Sequence, residues 1–209
     1  MTRVKKTVDY IRELCLSDSR EKKTLGERLK KQYDGWVETL SLEDFLAFLD
    51  AVKENKAEIG VAQFFGKFRA YAFEEYIYRL LKAKVAIPSP LLLFWEEKCL
   101  VWAAAEEEYV MEFDISIGKK AKDFVEPVIV FDAKVELDSS RLKTALASFA
   151  ILKKWNPKAK CILTYVDKKL DETLLKIAHN WVDGVFQFNT KNNESRAFLA
   201  YVVECLRRF

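Results

Sequence analysis

A chain of 209 residues, half of them hydrophobic, is long enough for one large domain or for a domain with a helical extension, and rich enough for a packed core. Its 35 Lys and Arg face 32 Asp and Glu, a net charge of only +3, which excludes a uniformly basic nucleic-acid binder and makes any such surface local. Cys15, Cys99, Cys161 and Cys205 form no C-x-x-C pair, which argues against a zinc site or a secreted disulfide framework and for core thiols.

Residues 1–62 read as a helical N-terminal extension. Val4, Val8, Ile11 and Cys15 form one stripe at helical spacing, Leu25, Leu29, Tyr33, Trp36 and Leu40 a second, and Leu42, Phe45, Leu46, Leu49 and Val52 a third. Ser19 and Ser41 stand where N-caps belong. The basic run from Arg20 to Lys31 suits either a phosphate backbone or, interleaved with Glu21 and Glu27, a solvated helix face.

The core is expected over 63–209. From Phe64 to Lys84 the pattern is one long helix with Phe73, Ile77, Leu80 and Leu81 inward, ended by Pro88-Ser89-Pro90. Glu74 falls near the edge of its buried face and Glu75 further round. Leu91 to Trp95 and Cys99 to Ala103 are apolar enough for a first strand, and Glu106 to Glu108 read as a solvated turn.

The most informative stretch is Tyr109 to Leu137. Strand alternation puts Met111, Phe113, Ile115 and Ile117 on one side of a first strand, with Glu112, Asp114 and Ser116 on the other. After a basic, glycine-containing turn, a second strand carries Ile129, Phe131, Ala133, Val135 and Leu137 on one face. Its other face begins with Val128 and Val130 and only then turns to Asp132, Lys134 and Glu136. A strand buried early on both faces that ends in an acid and a lysine suggests a site. Paired as a hairpin, the strands bring Asp114 and Asp132 together with Lys134 one pleat along. Two close carboxylates repel unless a cation sits between them. Mg²⁺ suits that pair, because it takes a few carboxylate oxygens and completes its shell with water and phosphate. The chemistry indicated is metal-assisted phosphodiester hydrolysis, with Lys134 holding the attacking water or offsetting transition-state charge.

Beyond the site, Asp138 or Ser139 caps a helix with Leu142, Leu146, Phe149 and Leu152 inward. On its outside, Arg141, Thr144 and Ser148 share a face that suits either phosphate contact or solvent. Cys161 to Val166 reads as a buried strand, Asp171 as the start of a helix, Val185 to Phe188 as a last strand, and Ser195 to Arg208 as a closing helix. The lone histidine, His179, lies in a helical stripe of Leu174, Ile177, Ala178 and Trp181, which excludes His-centred hydrolases. No phosphate-binding glycine loop occurs. Helix, three strands, helix, strand, helix, strand, helix predicts an α/β fold with a mixed central sheet flanked by helices.

Asp114 followed by a strand ending Asp132-Ala133-Lys134 resembles the motif of the PD-(D/E)xK nuclease superfamily, which includes restriction endonucleases, junction resolvases and repair nucleases. Glu112-Phe113-Asp114 is similar to the E-hydrophobic-D variant of that motif, although Phe113 replaces the name-giving proline and Asp132 the commoner Glu. The resemblance covers about Gly66 to Phe209. It implies a restriction-endonuclease-like core, Mg²⁺ with Mn²⁺ as a substitute, and Asp114 and Asp132 as metal ligands. It also implies a third acid from the preceding helix, Glu74 with Glu75 in reserve, Glu112 as an accessory, and Lys134 beside the attacking water. The substrate implied is DNA, and cutting two strands makes a homodimer a natural assembly. Two other readings stand beside this one, a nuclease-fold subunit that binds DNA or assembles without cutting, and an unrelated α/β protein. With no leader and no apolar run near the ~20 residues that span a bilayer, the chain is expected to be cytoplasmic, with no membrane partner.

Overall fold

In a computed structural model, which describes residues 5–105 and 107–208, the apolar stripes of the first third of the chain become helices. These are α1 (Thr7–Cys15), α2 (Arg20–Thr39), α3 (Leu42–Glu54), α4 (Lys56–Ile59) and α5 (Ala62–Lys84). Ser19 and Ser41 cap α2 and α3 as expected, their hydroxyls accepting the backbone N–H of Lys22 and Asp44. Leu25, Leu29, Tyr33 and Trp36 are buried on α2, as are the five predicted positions of α3. On α1 the buried stripe is turned towards Tyr10, Ile11 and Leu14, because the Tyr10 ring stacks on Phe68 at 5.2 Å; Val4 lies outside the described residues. Trp36, Phe45, Phe48, Phe73 and Tyr76 complete an aromatic core, with Phe45 and Tyr76 stacked at 4.4 Å. This compact unit runs over Met1–Leu80 and a second over Leu81–Phe209.

The second unit is built on seven strands, β1 (Leu92–Trp95), β2 (Lys98–Ala104), β3 (Glu107–Glu112), β4 (Ile115–Lys120), β5 (Val125–Asp138), β6 (Lys160–Lys169) and β7 (Gly184–Gln187). Helices α6 (Ser139–Trp155), α7 (Glu172–Ala178) and α8 (Ser195–Leu206) alternate with the later strands. The long β5 is the spine: antiparallel to β4, parallel to β6, with β1 beyond β4 and β7 beyond β6. The β2–β3 hairpin joins it through a parallel contact at Cys99 and Val125. Ile129, Val130 and Phe131 are successive and fully buried, so this part of β5 is covered on both faces. Each such side chain stabilises the fold by ~1.5–3 kcal/mol. Val130 packs with Leu142, Phe149 and Leu152 of α6, while Phe131 meets Phe198 of α8 edge-on at 5.8 Å.

The structure corrects several expectations here. Leu91 to Ala103 gives two strands, broken at Glu96, whose φ is +55°, and both run in the same sense as β5. The predicted single strand from Tyr109 to Ile117 breaks at Phe113-Asp114. Phe113 packs towards α6 against Phe149, whereas Ile115 and Ile117 pair across from Phe131 and Ile129. Glu107 and Glu108 belong to β3, and Glu106 lies outside the described residues. Gly118 is inside β4, not in the turn, facing Pro127 at an irregularity in the ladder. A Cβ there would run into the Glu126 carbonyl oxygen, so only glycine lets the strands close. On α7 the buried side chains are Leu175 and Ala178, while Ile177 and Trp181 are exposed and His179 ends the helix.

Candidate active site

β4 begins one residue after Asp114, and its last ladder pair with β5 is Ile115–Phe131. The next polar partner β5 meets is a side chain: Asp114 Oδ2 accepts the Ala133 backbone N–H at 2.7 Å. Behind Asp114, its carbonyl oxygen accepts the N–H of Glu96 at 3.0 Å, tying it to the β1–β2 turn. Asp132 and Lys134 project from the same face of β5, with the hydroxyl of buried Thr164 on β6 donating to the Asp132 carbonyl at 3.4 Å.

Lys134 Nζ lies 3.2 Å from Asp114 Oδ2 and 2.8 Å from Asp132 Oδ1. The second contact is an ion pair without hydrogen-bond geometry, so the buried Oδ1 of Asp132 has no well-directed donor. Burial, followed by the charge of Asp114, pushes the Asp132 carboxyl up from 3.8 to about 6 against the opposing pull of Lys134. For Lys134 burial works downward, but the two carboxylates outweigh it and hold the ammonium above its usual range. Lys134 is therefore a fixed cation and donor at neutral pH, not a base.

The other predicted residues are placed differently. Glu74 and Glu75 are both buried on α5 in the helical unit. Against expectation Glu75 is the deeper of the two, at 2% exposure against 7%. Its Oε1 accepts the Tyr33 hydroxyl at 2.7 Å and the Arg79 Nε–H at 2.8 Å. Glu112 is exposed at the end of β3, paired in register with Lys98. Asp138 caps α6 by accepting the Arg141 N–H at 2.8 Å and also binds the Arg141 guanidinium. Thr144 and Ser148 donate to carbonyls one turn back, those of Ser140 and Thr144.

Among the described residues, no group of three or more His, Cys, Asp or Glu stands close enough to hold a metal ion. The sheet unit brings together two acids and one lysine. Mg²⁺ nevertheless fits this set: two hard carboxylates, one with a poorly satisfied buried oxygen, leave most of an octahedral shell to water and phosphate. Thr164 and the Glu96 N–H were not foreseen. The lone Thr within the apolar run of β6 was a visible signal; nothing in the sequence marks a backbone donor.

No family model and no curated protein matches the chain. Among solved structures, it is similar to a chain of the native BbvCI A2B2 tetramer, with a TM-score of 0.53 and 11% identity over 97% of this chain and 95% of that one. At that identity the likeness concerns the fold: a restriction-endonuclease-like α/β arrangement, with a mixed central sheet flanked by helices. No helix among the described residues is long and apolar enough to cross a membrane.

Proposed function

We propose that this chain is a Mg²⁺-dependent endonuclease of the PD-(D/E)xK type that hydrolyses phosphodiester bonds in DNA. The observation that carries the reading is the Asp114–Lys134–Asp132 cluster where β4 stops pairing with the central strand β5 of a restriction-endonuclease-like fold. Asp114 and Asp132 would hold Mg²⁺, or Mn²⁺ in its place. When bound, the ion supplies Lewis-acid polarisation of the phosphoryl oxygen and makes water a stronger nucleophile.

The chain's own groups do the rest. The Ala133 N–H fixes one oxygen of Asp114, so the carboxylate is oriented before substrate arrives. Lys134, held protonated, donates to the attacking water or to a non-bridging phosphate oxygen and offsets charge that builds as the phosphorus gains its fifth oxygen. Water then adds to phosphorus, one P–O ester bond breaks, and the leaving strand departs as an alcohol.

A second reading is a nuclease-fold subunit that binds DNA or assembles without cutting. It is favoured by the sheet unit clustering two acids and not three among the described residues, and the similar BbvCI chain is itself part of an A2B2 tetramer. A panel of linear duplex, single-stranded and branched DNA, with Mg²⁺, Mn²⁺ or EDTA, separates the two. Metal-dependent cutting of any member supports the nuclease; DNA retention with no cutting under any condition supports the subunit.

A further inference from the structure

We propose that the groove between the β2–β3 hairpin and α6 seats a second copy of this chain, as a twofold dimer. Nine large hydrophobic side chains are exposed among the described residues, and four of them, Trp102, Tyr109, Ile151 and Trp155, line this one groove of about 880 Å³. A convergence of that kind marks an interaction surface, since single exposed apolar residues are ordinary but contiguous ones are not.

The groove is built by a deliberate irregularity. Leu100 pairs with Val110 and Trp102 with Tyr109, which leaves Val101 as an extra residue in β2. Regular alternation would send Val101 and Trp102 to opposite faces. The bulge turns both towards α6: Val101 is fully buried under the groove and Trp102 is 40% exposed along it.

Charge selects the occupant. Glu107 stands two residues from Tyr109, on the same face of β3, and is exposed; Lys154 lines the opposite wall, on α6. The surface thus has an acidic flank, an apolar centre and a basic flank, which is its own complement under a twofold axis. The hairpin of one protomer covers α6 of the other, Glu107 meets Lys154 twice, and exposed Ala147 and Ala150 on α6 allow close approach. Glu107, Glu108 and Glu112 along β3 disfavour edge-to-edge strand pairing, so association runs through this face. The same acids oppose a nucleic-acid backbone. None of the residues assigned to phosphodiester hydrolysis lines the groove, so the inference stands apart from that reading.

Sedimentation equilibrium of the full chain over a micromolar concentration series tests it. The wild type should dimerise, and Ile151→Glu, at an exposed position, should be monomeric with an unchanged circular dichroism spectrum. Glu107→Lys and Lys154→Glu should each weaken the dimer about tenfold, because the twofold repeats the contact, and an equimolar mixture of the two should restore it. A wild type that stays monomeric, or a dimer that Ile151→Glu and both charge reversals leave intact, would overturn the proposal. A monomer whose affinity for single-stranded oligonucleotide falls on Trp155→Ala would also overturn it and assign the aromatics to nucleic acid.

Discussion

Asp114 Oδ2 accepts the backbone N–H of Ala133 at 2.7 Å, so a side chain takes over from the ladder where β4 stops pairing with β5. The carboxylate that completes the sheet is thereby also one of the two that face Lys134. Any change that moves β4 along β5 moves the candidate site with it.

Stability should depend on pH through Asp132. Its carboxyl is raised from 3.8 to about 6, so the folded chain binds this proton more tightly than the unfolded one. The contribution is fully present below the unfolded value and is lost as pH rises through the folded value, between about pH 4 and 7. The loss is about 3 kcal/mol. Asp132→Asn should remove this part of the slope in urea denaturation measured across that window; an unchanged slope would contradict the assignment.

Lys134→Met should leave two carboxylates facing each other with no cation between them. The variant should lose about 3 kcal/mol near pH 8 and less near pH 5, where Asp132 takes up a proton. Equal destabilisation at both pH values would mean that Lys134 acts by packing alone.

Mg²⁺ should stabilise the wild type, by about 2.7 kcal/mol at a hundredfold excess over Kd, and the shift should shrink at low pH as protons compete for Asp132. Thermal denaturation of wild type and Asp132→Asn with Mg²⁺ or EDTA reads this without any substrate. A shift of the same size in Asp132→Asn would place the ion elsewhere.

In the helical unit, Tyr33→Phe should cost about 1.5–3 kcal/mol, because it removes a hydroxyl donor from the buried Glu75 carboxylate while Arg79 remains. Guanidinium denaturation checks the value. A loss below 0.5 kcal/mol, on the order of a surface substitution, would show that Arg79 alone satisfies Glu75.

Much of this was legible where periodicity and burial agree. Leu42, Phe45, Leu46, Leu49 and Val52 repeat at helical spacing and are buried together, and the apolar run of β5 announced a strand covered on both faces, which holds from Ile129 to Phe131 while Val128 is half-buried. That Asp132 and Lys134 share a face followed from strand alternation, because period two fixes which side chains point together; Asp114 joins them from the break between β3 and β4. What escaped were features that break the period. The stop at Phe113-Asp114, the extra Val101 in β2 and the break at Glu96 are set by neighbouring strands, and no local pattern encodes them. Glu75 was misplaced for a related reason: α5 buries residues around most of its circumference, Phe73, Glu74, Glu75, Tyr76 and Ile77 in succession, so no single apolar face separates inside from outside.

The central claim is tested most directly by cleavage of supercoiled plasmid by wild type and Asp132→Asn, each with Mg²⁺ and with EDTA, at protein equimolar to DNA. The account predicts nicked or linear product from the wild type with Mg²⁺ alone, and none from Asp132→Asn even though it remains folded and should retain DNA. Cleavage by Asp132→Asn at the wild-type rate, or by the wild type in EDTA, would contradict it.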